Sequence, residues 1–180
     1  MKNLLLTGRP GSGKSSVIMR VVESLRKKGF RVGGLYCPEI RSSSGRLGFK
    51  VIELTSGEER ILAHVRQKGP RVSKYGVNLQ NLEEISRRAL ETLPSLQVVI
   101  IDEIGPMEVL SPAFCQFVRT ALGSPKIVLA ALHQKTQVGF IGEVKRLPNV
   151  TILEVTPEKR EELVGEVERR IEELFEQGHK

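Results

Sequence analysis

The stretch Gly8-Arg9-Pro10-Gly11-Ser12-Gly13-Lys14-Ser15 constrains this chain more than any other, because it inserts three glycines and a proline between the first two apolar segments. Before it runs Leu4-Leu5-Leu6-Thr7, a short unbroken apolar run of the kind a strand covered on both faces of a parallel sheet requires. After it, Val17, Ile18, Val21, Val22 and Leu25 recur at steps of three and four, the period of an amphipathic helix. Arg26-Lys27-Lys28 then place positive charge at the negative end of that helix, and Gly29 follows as its stop. A G-x-x-x-x-G-K-[ST] segment between a strand and a helix reads as a phosphate-binding loop. Gly8, Gly11 and Gly13 free the backbone to fold into a nest of inward-pointing N–H groups, and the following helix aims its positive end at the same place. Lys14 is expected to reach the β- and γ-phosphates, and the Ser15 hydroxyl to ligate Mg²⁺. Arg9, Pro10, Ser12 and Ser16 complete the expected nucleotide-contacting run.

A loop hydroxyl alone positions Mg²⁺ poorly, because the ion keeps several waters, so a second protein oxygen is needed. Val98-Val99-Ile100-Ile101 is another buried-strand run, expected to stop at Asp102-Glu103, and in a doubly wound sheet its end opens onto the same crevice as the end of the first strand. An aspartate in that place is equally a turn former when considered alone; joined to the loop, Asp102 becomes the expected metal partner. Glu103, one residue on, reads either as a turn-capping glutamate or as the base that orients water for in-line attack on a γ-phosphate, a role that favours hydrolysis over transfer. His133 and Gln134 follow the Ile127 to Leu132 strand and would sense the γ-phosphate if that strand lay between the other two; otherwise they are surface polar residues. Arg41 and Arg71 are candidates for stabilising transition-state charge.

Strand and helix periods alternate along the rest of the chain. Strands are expected over Arg31 to Tyr36, Leu47 to Leu54, Arg60 to Val65 and Val150 to Val155. Helices are expected from Leu82 to Leu93, after the Ser111-Pro112 cap, over Val138 to Val144, and after Thr156-Pro157. The fold class is therefore α/β: a doubly wound, mainly parallel sheet in one domain spanning 1–180, with a small antiparallel β insertion at 38–75. Between Arg41 and Lys74 the basic residues outnumber the acidic ones, which reads either as a cationic flap over a phosphate site or as an exposed sheet edge kept soluble by its charges.

The formal net charge of +7 suits a polyanionic partner, and no apolar run approaches the roughly 18 residues a membrane span needs. Aromatic residues make up 4% with no tryptophan, so a nucleic-acid partner, possible on charge, is not favoured, since single strands usually stack on aromatic rings. The opening Met1-Lys2-Asn3 enters a strand-like run without a signal-peptide core, and a cytoplasmic protein, monomeric or weakly oligomeric, is expected. Cys37 and Cys115 are read as buried free thiols, and His64, His133 and His179 lack metal-ligand spacing.

Five segments give the chain a family resemblance: GRPGSGKS, GLYCPEIR at Gly34 to Arg41, GFKV at Gly48 to Val51, RVSKYGVNL at Arg71 to Leu79 and VIIDEIGPME at Val99 to Glu108. In this order and approximate spacing they resemble the small THEP-type P-loop nucleoside-triphosphatases of thermophiles, which have a human cancer-related relative. The resemblance implies a RecA-like P-loop fold, a nucleotide site built from Gly8 to Ser15 with Asp102-Glu103, and slow Mg²⁺-dependent hydrolysis of ATP, GTP, CTP and UTP with little base preference. Ser73 stands where the family pattern has glycine in R-V-G-x-Y. A nucleoside-triphosphate phosphohydrolase is thus expected. A P-loop small-molecule kinase and a nucleotide-gated nucleic-acid-binding ATPase or switch remain the alternatives, and the absence of an N-K-x-D motif argues against a G-protein switch.

Overall fold

The structure, a computed structural model, describes residues 2–178. Met1, Lys180 and His179, one of the three histidines considered above, lie outside the described residues. In chain order the elements are β1 (Asn3–Thr7), α1 (Lys14–Lys27), β2 (Val32–Tyr36), β3 (Glu39–Ser42), β4 (Gly45–Glu53), β5 (Glu58–His64), β6 (Arg71–Val72), β7 (Tyr75–Val77), α2 (Leu79–Thr92), β8 (Val98–Ile104), α3 (Pro112–Gly123), β9 (Ile127–Leu132), α4 (Gly139–Lys145), β10 (Val150–Glu154) and α5 (Arg160–Gln177).

The strands form one sheet in the order β10-β1-β9-β8-β2-β4-β5-β7-β6, with β3 also paired to β4. The run from β10 to β2 is parallel, and every pairing from β2–β4 outward is antiparallel. The expected β-rich segment is therefore an extension of the main sheet rather than a separate layer. Helices cover both faces of the parallel half because its inner strands are largely apolar, while the edge strand β10 is only partly buried. Along β8, Val98 and Ile100 pack with α1 and α5, while Val99 and Ile101 pack with α2, α3 and α4. All four are fully buried, and each such side chain contributes about 1.5–3 kcal/mol relative to exposure. Ser111 caps α3 as its residue type dictates, its hydroxyl accepting from Phe114 N–H at 3.0 Å.

Three expectations about element ends are corrected. The strand β8 does not stop at Asp102-Glu103 but runs on to Ile104. Ile104 is fully buried and pairs with Leu132, whereas Ile101 pairs with Ala130, so three steps on β8 match two on β9. The apolar residue beyond the two acids draws the chain back into the sheet, and the extra residue forms a bulge. Thr156-Pro157 does not cap α5. Its hydroxyl accepts from Lys159 N–H at 3.3 Å in the turn before the helix, which opens at Arg160. Val138 does not join the apolar face of α4; it precedes the helix and is 76% exposed.

Ser73 occupies the two-residue turn between β6 and β7 with φ of +55°, and among the described residues it is the one non-glycine residue with positive φ. The glycine of the family pattern fits this position because a side chain in the left-handed region crowds its own carbonyl. Ser73→Gly should therefore raise stability by up to about 1 kcal/mol, a gain in Tm of roughly 2–4 °C for a chain of this size. Thermal unfolding of both proteins checks this, and a lower Tm in the variant would contradict it.

Candidate active site

The loop between β1 and α1 is shaped by two glycines for different reasons. Gly13, at the N-terminal boundary of α1, has φ of +102°, a left-handed turn that reverses the chain into the helix. Gly8 is held by closeness: a Cβ there would stand 2.6 Å from the Val155 carbonyl oxygen and 2.7 Å from Ser12 Oγ. The loop is therefore clamped against the end of β10, where Val155 N–H also donates to the Thr7 carbonyl at 2.7 Å. The Lys14 ammonium bends back over the loop, donating to the Gly8 carbonyl at 2.7 Å and to the Arg9 carbonyl at 3.4 Å. Ser12 Oγ is buried with no hydrogen-bond partner, an arrangement that costs on the order of 1–3 kcal/mol unless a ligand or water completes it.

Asp102 enters from β8, separated from β1 by the whole width of β9. It is 5% exposed, and its Oδ2 has no hydrogen-bond partner. Its carboxyl is pushed up to about 7, chiefly by burial and also by the Glu103 charge, while the nearby Ser15 hydroxyl and the Lys14 ammonium offset part of the rise. Residues from the loop, the start of α1 and the end of β8 thus meet at one point. Glu103 lies in the same bulge, partly exposed, and the Asp102–Glu103 peptide is cis.

The sequence reading gave Glu108 no role, yet the structure buries it, at 5% exposed, beside Glu103. Gly105 sits between the two: a Cβ there would lie 2.6 Å from Glu103 Oε1 and 2.9 Å from Glu108 Oε2. Burial, then the Glu103 and Asp102 charges, push the Glu108 carboxyl well above its usual range, against hydrogen bonds from backbone groups of Glu108 itself and Gly105. Glu108 opens the short turn Glu108–Leu110, and nothing in the local sequence marks this acid as inward-facing.

The remaining candidates fall into two groups. The condition placed on His133 and Gln134 is met, since β9 lies between β1 and β8. The His133 ring shares a hydrogen bond with Thr136 Oγ1 at 2.8 Å, and Lys145 Nζ donates to the Gln134 carbonyl at 2.7 Å, so this loop is braced from α4. Arg71 lies far from the loop in the strand order. It lies on β6, seven strand positions from β1, or about 30 Å at the usual strand spacing, and donates to the Lys74 carbonyl at 2.8 Å. Arg41 lies on the β3–β4 hairpin, where it is paired to Glu39 at 2.6 Å, a carboxylate it shares with Arg46 at 2.9 Å. Cys115 is buried and Cys37 partly so, both as free thiols.

Fold and loop together define the class: a P-loop protein with a strand between the loop-bearing and the acidic strand, the RecA-like arrangement. A family model described as NTPase matches residues 3–168. A nucleoside-triphosphatase THEP1 of Thermofilum pendens is 42% identical over 176 residues, covering 96% of this chain and 97% of that protein. The protein of the same name from Methanopyrus kandleri is 37% identical over 176 residues, covering 97% and 98%. Among solved structures, THEP1 from the hyperthermophile Aquifex aeolicus superposes with a TM-score of 0.79 at 32% identity, covering 92% of this chain and 96% of that one. A human cancer-related nucleoside triphosphatase superposes at 0.77 with 33% identity, covering 93% and 95%. The chain belongs to the NTPase family.

The raised Asp102 carboxyl gives a pH prediction for the metal-free protein. Between the ordinary carboxyl value and about 7 the folded state holds a proton that the unfolded state has lost, so this group's contribution falls as pH rises through that window. Asp102→Asn removes the penalty. Its Tm advantage over the parent should be small at pH 4.5 and grow to the equivalent of about 2–4 kcal/mol at pH 8. An advantage that does not change with pH would show that burial of Asp102 is not what shifts it.

Proposed function

We propose that the chain is a nucleoside-triphosphate phosphohydrolase that cleaves ATP, GTP, CTP and UTP to the diphosphate and phosphate, and that it acts as a single P-loop domain in which the 38–75 segment extends the sheet. The observation that carries this reading is the convergence of Ser15 and the Lys14 charge on the buried Asp102 carboxylate. Family membership and relatives named nucleoside-triphosphatases over nearly the whole chain support it.

The residues fit a divalent cation by their own chemistry: a buried carboxylate oxygen without a donor, with a hydroxyl beside it, is an oxygen pair that a hard ion satisfies. Ser15 and Asp102 would hold Mg²⁺, which when bound supplies positive charge against the terminal phosphates. The protein's own groups account for the rest. The amides from Gly11 to Ser16 and the positive end of α1 bind the phosphate oxygens, which lets Lys14 exchange its two loop carbonyls for the β- and γ-phosphates. Arg9, Pro10 and Ser12 set the curvature of the nest, and the orphaned Ser12 hydroxyl gains a partner there. Glu103 accepts a proton from a water held in line with the γ-phosphate. The buried Glu108 carboxyl shares the space over Gly105 with the Glu103 carboxyl, so the two acids act on each other's charge.

No helix among the described residues is long and apolar enough to cross a membrane, which accords with a reading in which the nucleotide is free in aqueous solution. We assign the protein to the cytoplasm, as a monomer or weak oligomer. Nucleic acid is not needed for turnover in this reading.

Phosphate release measured with ATP, GTP, CTP and UTP, with and without Mg²⁺ and with no added acceptor, tests the reaction class. Release from all four in Mg²⁺ is expected, and a requirement for a small-molecule acceptor would make the protein a kinase instead. Lys14→Ala should nearly abolish turnover and weaken triphosphate binding. Glu103→Gln should retain binding while kcat falls about 10²- to 10⁴-fold, the range for loss of a proton-transfer group. Equal kcat in Glu103→Gln and the parent would remove the base role.

A further inference from the structure

The loop has a second flank that the phosphate chemistry leaves unused. Strand β10 pairs with β1 on the side opposite β9 and β8, so Asp102 marks one end of the site and the β10–α5 turn, residues 155–159, borders the other. Helices α1 and α5 run side by side in the same direction. Arg20 pairs with Glu161 at 2.7 Å, Ser24 donates to Glu168 at 2.6 Å, and Lys28 pairs with both Glu168 and Glu172. These pairs, with Val164 and Val167 packed in the shared core, bring the first residue of α5 level with the first turn of α1. That first residue is Arg160.

Its side chain lies across the loop. A Cβ on Gly13 would stand 2.5 Å from Arg160 Cδ and 3.4 Å from both Cγ and Nη1, so the stem crosses directly over the Gly13 backbone. A residue with any side chain at position 13 would displace it. The guanidinium makes no hydrogen bond or ion pair with a described residue, although its charge acts on the neighbouring Glu161. A long flexible cation is thus held at the rim of a phosphate loop with its planar head free.

The triphosphate already has its partners in the loop amides and Lys14, and its terminal end lies toward Asp102. The nucleoside must therefore leave on the β10 side. Segments 8–16 and 155–160 contain no aromatic ring, so a base arriving there has only flat guanidinium groups to stack on. Arg9 sits at the first turn of the loop and Arg160 at its last, beside the exit. We propose that Arg160 forms the nucleoside subsite, its guanidinium stacking on the face of the base. Every base offers a π face, and stacking does not depend on the pattern of donors and acceptors at the base edge. The subsite therefore grips all four nucleotides alike and makes the enzyme indifferent to the base. This inference rests on the assignment of Gly8 to Ser15 as the phosphate site.

The test compares the parent with Arg160→Ala and Arg160→Lys, by KM for the four triphosphates and by calorimetric binding of ADP and of inorganic tripolyphosphate, which lacks a nucleoside. Arg160→Ala should raise KM by about 5- to 20-fold for all four with kcat within about twofold, and weaken ADP to the same extent. Tripolyphosphate should bind the three proteins equally. Arg160→Lys keeps the charge and the stem but loses the plane, so it should resemble Arg160→Ala. Three results would overturn the proposal: unchanged ADP affinity in both variants, an equal loss for tripolyphosphate, or restoration by lysine, the last two pointing to a charge contact with phosphate. A parent that binds ADP but releases no phosphate would sink the hydrolysis reading while leaving this test intact.

Discussion

The end of β9 is the spacer on which the site depends. It holds the strand that carries the loop and the strand that carries the acids two positions apart, about 10 Å at the usual strand separation. With one strand between them, α1 can pass over β9 and β8 on its way to β2, and Ser15 in its first turn meets the Asp102 carboxylate. The parallel half of the sheet is therefore the device that sets the distance between anion cradle and acid, and its stability comes from strands buried on both faces.

Electrostatics at that point is deliberately unfavourable in the free protein. Asp102 lies in a dry setting that drives its carboxyl to about 7; burial, then the Glu103 and Asp102 charges, push Glu108 upward, and burial, then the charges of the three acids, push the Cys37 thiol upward. Three acids crowd one strand end with Lys14 as the nearby cation. Such a cluster costs folding energy and is relieved when positive charge arrives, so the groups that destabilise the empty site are those that favour binding. Gly105 makes the crowding possible, since its missing side chain is the space that the Glu103 and Glu108 carboxyl groups share.

Much of this was legible in the residues themselves. The loop, the alternation of strand and helix and the pairing of Asp102 with the loop all rest on local spacing, and the elements formed close to where the periods placed them. What escaped depends on contacts distant in sequence. Strand order is set by which apolar faces pack, and nothing local to Ile127–Leu132 says that this strand separates β1 from β8. Asp102-Glu103 looked like a strand end because two acids rarely continue one, yet Ile104 recovers the pairing through a bulge. Thr156-Pro157 carried the local mark of a helix cap, but the turn it forms is fixed by the clamp of Val155 on Gly8, and α5 waits for Arg160. Ser73 could be seen to depart from a family pattern, and its φ gives the physical reason that glycine suits the place. Arg41 was a candidate because it follows the end of the second strand, but that place falls in the β3–β4 hairpin, where Arg41 pairs with Glu39, and Arg71, on β6, donates to the Lys74 carbonyl.

The most direct test of the account is a crystal structure of the protein with Mg²⁺ and a non-hydrolysable triphosphate. The account expects the β- and γ-phosphates on the amides of the Gly11–Ser16 turn with Lys14 released from the Gly8 carbonyl, the ion between Ser15 and Asp102, and Glu103 facing the γ-phosphate. A triphosphate bound elsewhere, or an ion held without Asp102, would contradict it.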